Sequence, residues 1–244
     1  MNSNVTKNKQ GQELGLKGRT TRRRLMDVTL RLLRTKSPME LTAVSIAQEA
    51  KTSSATFYMY FDDVRDIMFA LGQAAADEMT SVCSILDEPW DPTVVDVAHA
   101  RRVVEAFDAV WDKHRPVLRY RNLEADRGDP RFEQQRIDYY IPLIERFAER
   151  ILSAYPPGKR PRKGDAYAEA SVIHAAMEGV AATDPDVMER GLGVRRMQAA
   201  RARIIAHILG RRAGDDTWIS SGVEPRKKPA GQPAKRAKPA VRSA

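Results

Sequence analysis

Three hydrogen-bonding residues, Thr42, Ser53 and Asp63, stand at intervals of eleven and ten, each at the head of a short run that includes apolar residues. A threonine, serine or aspartate oxygen satisfies an otherwise unpaired N–H in the first helical turn, so each position predicts a helix start. The spacing leaves room only for two short helices, one from Ala43 to about Ala50 and one from Ser53 to Phe61, joined by a brief turn at Lys51-Thr52. Upstream, Leu25, Val28, Thr29, Leu32 and Leu33 recur at helical intervals, with Arg22, Arg23, Arg24 and Arg31 largely off that stripe. Ser37-Pro38 is expected to end this first helix, because proline pushes its predecessor out of the helical region. A longer amphipathic helix followed by two short ones is a helix-turn-helix unit. Its core is expected from Ile46, Ala47, Ala50, Phe57 and Phe61, with Val44 also inward; Ser54, Ala55, Tyr58, Met59 and Tyr60 remain to face outward or sideways.

The remainder also reads as helix. Asp62-Asp63 places carboxylates at the positive end of a helix whose stripe runs Val64, Ile67, Met68, Leu71, Ala75, Met79 and Val82 to Cys83. Pro89 and Pro92 bracket a linker. Further helices are expected over roughly 93–114, 116–127, 131–154, 164–183 and 186–210, broken at Pro116, Asp129-Pro130, Pro156-Pro157-Gly158 and Asp184-Pro185. No useful β alternation and no internal repeat is visible, so the expected class is all-α.

Charge is concentrated at the ends. The 244 residues carry a formal net charge of +9, with +6 in residues 1–24, +6 in 222–244 and −3 between them. The proline-, alanine- and lysine-rich tail has little to bury and is expected to be disordered, either a nucleic-acid clamp or a solubilising extension. The expected organisation is a basic arm over 1–20, a helix-turn-helix domain over 21–66, a larger helical domain over 67–212 and a basic tail over 213–244. No run approaches the ~20 apolar residues of a membrane span, and no basic-then-apolar leader opens the chain, which points to a cytoplasmic protein without membrane partners. Cys83 is the only cysteine, which removes intrachain disulfides, and the four histidines form no helical i, i+3 or i+4 pair. No metal and no cofactor is expected.

The run Leu41-Thr42, Ile46-Ala47, Ala50, Ser53, Thr56-Phe57-Tyr58, Tyr60-Phe61 and Ile67 resembles the tetracycline-repressor (TetR/AcrR) family of bacterial regulators. The resemblance implies that the second short helix lies in the major groove. Ser54, Ala55, Tyr58 and Tyr60 then occupy positions that usually contact DNA, and Thr42 caps a helix that usually meets a phosphate. Three positions depart from the family pattern: Lys51 replaces the usual turn glycine, Ala55 stands where glycine or proline is common, and Val64 replaces a common lysine.

The residue chemistry agrees with DNA contact. Ser53, Ser54 and Thr56 offer short hydroxyls, and Tyr58 and Tyr60 join an apolar ring to a hydroxyl, although all the aromatics here also suit a core. No arginine or lysine lies between Ser53 and Phe61, so affinity is expected from phosphate contacts and from Arg19, Arg22, Arg23 and Arg24.

In this family the larger part binds an effector and dimerises. Phe107, Val110, Trp111 and His114 form one stripe, and Tyr120, Tyr139, Tyr140, Ile144, Phe147 and Met177 complete a candidate pocket for a small hydrophobic or aromatic effector. Each is also a plausible core residue. The alanine-rich helix near 164–183, with the apolar one after it, suits a symmetric four-helix bundle between two copies. A dimer would set its reading helices about one DNA turn apart, ~34–36 Å, on a palindromic operator. The expected function is a ligand-released regulator, most simply a repressor, found at the bacterial nucleoid when on DNA. The alternatives are a non-specific architectural DNA binder and, more remotely, an enzyme. No Walker loop, nucleophile elbow or zinc-helix motif is present, and Asp108, Asp112 and His114 read as a solvated helix face rather than an acid–base cluster.

Overall fold

The computed structural model describes residues 13–156 and 158–210, and ten α-helices make up its framework. The first twelve residues of the arm and the whole basic tail lie outside the described residues. The helices are α1 (Leu16–Leu32), α2 (Ala43–Glu49), α3 (Ser54–Tyr60), α4 (Val64–Glu78), α5 (Thr80–Asp87), α6 (Val97–Asp126), α7 (Pro130–Ser153), α8 (Lys163–Ala182), α9 (Pro185–Arg190) and α10 (Val194–Leu209). The class is all-α.

Two apolar cores result. The head core joins α1 to α4 through Leu25, Val28, Ile46, Ala47, Phe57, Phe61, Ile67 and Leu71, closed by Val117 of α6. The body core gathers α4 to α8 and α10 around Val103, Phe107, Trp111, Leu143, Phe147, Ile173, Met177 and Ile205.

Several boundaries differ from the sequence expectation. Helix α1 begins at Leu16, inside the expected arm, and ends at Leu32; the next turn tightens through Arg34, Thr35 and Lys36 before Ser37 caps a single 3₁₀ turn at Pro38–Glu40. Pro116 does not end a helix. It sits inside the 30-residue α6. An internal proline forfeits one backbone hydrogen bond, but Trp111, His114, Val117 and Leu118 around it are all buried, and that packing carries the helix through. The expected single helix over 186–210 is split into α9 and α10 at Gly191-Leu192-Gly193, where Gly193 takes φ +85°. The helix after Asp63 likewise divides, at Met79.

Candidate nucleic-acid interface and effector site

The interface is built from local caps. The Thr42 hydroxyl accepts the Ser45 N–H at 3.0 Å while the Ser45 hydroxyl accepts the Thr42 N–H at 3.1 Å, closing a reciprocal cap on α2. At the other end the Lys51 N–H donates to Gln48 O and the Thr52 N–H to Ala47 O, the two bonds of a Schellman turn. That turn needs a left-handed residue, and Lys51 supplies it at φ +53°, the one non-glycine residue with positive φ among the described residues. Lysine therefore adopts the geometry that glycine would adopt at lower steric cost. Ser53 then starts α3, its hydroxyl accepting the Thr56 N–H at 3.1 Å and lying 3.0 Å from the Thr56 hydroxyl.

Helix α3 has a clear inside and outside. Phe57 and Phe61 are fully buried with ring centres 5.7 Å apart. Ala55, Tyr58 and Met59 face solvent, with Tyr58 48% exposed and standing edge-on to the Phe57 ring. Ser54, Thr56 and Tyr60 are half-buried. Tyr60 packs against the head core, with its hydroxyl beside Gly18 of α1, so it leans sideways.

Two arginines expected together on DNA have different surroundings. Arg23 is exposed, as are Arg19, Arg24 and Arg31, and an open cleft of about 380 Å³ runs past Arg23, Arg24, Arg31 and Lys51. Arg22 is buried instead. Its guanidinium stacks 4.9 Å over the Phe61 ring and reaches Met26 Sδ at 3.3 Å, so it props the end of α3 from behind rather than extending from the basic arm. Val44 corrects the opposite way: it is 48% exposed, and Ala43 takes the inward place. Counting i, i+3, i+4 and i+7 from Ala43 reaches Ile46, Ala47 and Ala50, the register that could have been read in advance. Val44, Gln48 and Met59 thus join the exposed face beside Thr42 and Tyr58.

The candidate effector residues divide three ways. Phe107, Trp111, Phe147 and Met177 are in the body core, with Tyr140 at its edge. His114 is 1% exposed and lies 3.2 Å from Glu78 Oε1 at the far end of α4. Tyr120 packs on Phe132 and the head core, so it is not brought to the others. Burial lowers the pKa of His114 against the pull of Glu78, which favours a neutral ring.

The body core also holds charge. Asp108, read from sequence as solvated, is buried and clamped by Arg201, Nη1 to Oδ1 at 2.9 Å and Nη2 to Oδ2 at 2.6 Å, with Gln198 adding a third donor at 2.9 Å. This pair ties α10 to α6. Deeper along α6, Arg121 is 1% exposed and stacks 4.2 Å over the Tyr139 ring, its Nε and Nη2 donating to Asn122 Oδ1 and Nη2 reaching Glu178 Oε1 at 3.2 Å. His174 sits 5.2 Å from the Tyr140 ring and 6.3 Å from that of Phe107. Arg121 and His174 escape a sequence reading because Arg121 meets Tyr139 and Glu178, and His174 meets Tyr140 and Phe107, across helices, at separations no local pattern encodes. Among the described residues no group of three or more His, Cys, Asp and Glu is placed to hold a metal ion, and no helix is long and apolar enough to cross a membrane.

Residues 85–212 match a family model described as the tetracyclin repressor-like C-terminal domain. The fold is similar to that of the fatty acid degradation regulator FadR from Bacillus halodurans, at a TM-score of 0.58 and 14% identity, over 81% of this chain and 96% of that one. It is also similar to GusR of Salmonella enterica, at a TM-score of 0.56 and 18% identity, over 78% of this chain and 95% of that one. No curated protein matches in sequence.

Proposed function

The chain belongs to the tetracycline-repressor family of DNA-binding transcriptional regulators, which are not enzymes, and from that premise we propose that it is a repressor. It binds a palindromic operator as a homodimer and is released by a small hydrophobic or aromatic effector. The observation that carries this reading is the two-sided α3: Phe57 and Phe61 fix its rear, while Ala55, Tyr58 and Met59 stand clear of the protein, and Arg23, Arg24 and Lys51 line a cleft of the same head. An α-helix fits the major groove, and flanking cations supply the phosphate contacts that the uncharged α3 lacks. Thr42, Ser53, Ser54, Ala55, Thr56, Tyr58, Tyr60 and Arg23 are assigned to DNA; Arg22 is assigned to support.

The dimer is argued from a second two-sided helix. Ala166, Ala170, Ile173, Met177 and Ala181 turn α8 toward its own body, whereas Ala168, Ala175, Ala176 and Gly179 are exposed small residues, with the exposed Val172 among them. Ile204 of α10 is 59% exposed. Small side chains let two helices approach closely, which supports an isologous face between two copies.

The test is footprinting of the full-length protein on the promoter of its own gene, followed by fluorescence anisotropy with the protected duplex. A twofold-symmetric footprint and a preference of at least a hundredfold over random duplex are expected; equal affinity for both would favour a non-specific architectural protein.

A further inference from the structure

Two arginines are buried in the body, each with one nitrogen lacking a hydrogen bond (Nε of Arg201, Nη1 of Arg121), and they meet their carboxylates differently. Arg201 meets its carboxylate along two parallel bonds, the geometry that a guanidinium and a carboxylate share. Arg121 is buried more deeply, yet it meets Glu178 through one oxygen at 3.2 Å, longer than the ~2.7–2.9 Å usual for a charged pair, and its Nη1 makes no hydrogen bond. Beside it, Trp111 Nε1 and Tyr139 Oη face each other without closing a well-formed hydrogen bond, and His174 Nε2 is buried with none. A guanidinium nitrogen can only donate, so the unpaired Nη1 of Arg121 is the group here that asks for an acceptor. No side-chain polar atom of α1, α2 or α3 is in that condition among the described residues.

We propose that the effector carries a carboxylate, anchored on the unpaired Nη1 edge of Arg121, while its apolar part packs among Phe107, Tyr140 and Met177. This rests on the ligand-responsive reading above and names the chemistry of its ligand. Glu178 is the internal anion with which the carboxylate competes: it shares Arg121 with Asn122, and its side chain is 20% exposed, which gives it a route to water. A neutral amide or alcohol offers an acceptor but no charge, and so gains less from a guanidinium held by one long contact.

The probes are octanoate and 4-phenylbutyrate against octanamide and 4-phenylbutyramide, titrated calorimetrically into the full-length protein, with operator release followed in parallel. At least one acid is expected to bind ten times more tightly than its amide. Glu178→Gln, which keeps the bonds to Asn122 and Arg121 but removes the competing charge, is expected to tighten that acid about tenfold. Arg121→Gln is expected to erase the preference for acid, its fold checked by circular dichroism and sedimentation. Should Arg121→Gln fail to fold, the acid–amide ratio and the Glu178→Gln shift still decide. If no acid outbinds its amide, or the preference is indifferent to Glu178→Gln, the carboxylate anchor is wrong. Amides that release the operator as well as the acids would overturn it while leaving the regulator reading intact. A wild-type protein that ignores every duplex would instead remove the regulator reading itself.

Discussion

The head and the body bury their side chains on different principles. The head encloses Arg22 and Thr29 as its polar residues, and Thr29 bonds its own helix one turn back. Its helices are fixed by neighbours in sequence: Thr42 with Ser45, Ser53 with Thr56, and Asp63 with the Asp66 N–H. The body encloses His99, Asp108, His114, Arg121, Glu124, Gln135, His174 and Arg201, most of them joined across helices. A core of close-packed hydrocarbon has one good arrangement, which suits a reader of fixed shape. A core with polar groups short of partners sits higher in free energy and gains most from a ligand that supplies them, which suits the responsive half.

The sharpest way to break this contrast is to unpair the body. Asp108→Ala leaves Arg201 buried without its carboxylate and is expected to cost about 3–5 kcal/mol, read by urea unfolding. Adding Arg201→Met should recover most of that loss, because two apolar groups need no partners. If Asp108→Ala costs under 1 kcal/mol, the pair is ornamental and the contrast fails.

Acid should separate the two regions next. Burial holds the pKa of His114 and of His174 below the ordinary 6.5, so the unfolded chain takes up protons first. Their contribution is therefore complete above pH 6.5 and is lost as pH falls through the lowered values. Residues 13–78 contain no histidine. There, burial raises Asp66 above 3.8, and a raised carboxyl contributes stability at acid pH that is lost as pH rises through its folded value. Hydrogen exchange corrected for its intrinsic pH dependence should thus show α6 and α8 loosening before α2 and α3 between pH 7.5 and 5.5; the reverse order would contradict the assignment.

A milder test concerns contact rather than folding. Tyr58→Ala removes an exposed side chain, so operator affinity should fall about tenfold, near 1.4 kcal/mol, while the thermal midpoint stays put. Loss of affinity together with stability would mean that Tyr58 belongs to the core. The smallest effect is a gain. Lys51→Gly relieves a left-handed lysine, and is expected to stabilise the head by about 0.5–1 kcal/mol with operator binding reduced only if the Lys51 ammonium meets a phosphate.

What could be read in advance follows the same division. Thr42, Ser53 and Asp63 each act within three residues of themselves, so local chemistry was enough to find α2, α3 and α4, and helical spacing was enough to send Phe57 and Phe61 inward. Arg22 misled because its partner, the Phe61 ring, is thirty-nine positions away in sequence. Asp108 misled for the same reason, with Arg201 ninety-three positions on. Pro116 misled because its local penalty is real and is outweighed by packing that only the assembled body supplies. Among the effector candidates, the stripe Phe107, Val110, Trp111 was legible as one buried face, but the same helix turns Tyr120 toward a different core, and a sequence does not state where along a long helix its neighbours change.

That change of neighbours on α6 has a consequence for register. Thirty residues at 1.5 Å each make a rod on the order of 45 Å long, with Trp111 keyed into one core and Val117 into the other only six residues later. One alanine spliced between them would swing the far end by about 100°, because each residue of an α-helix advances a 3.6-residue turn by that angle. Neither core could then close without the other opening. The rod therefore behaves like a camshaft whose lobes are cut at a fixed phase, with one lobe set in each core.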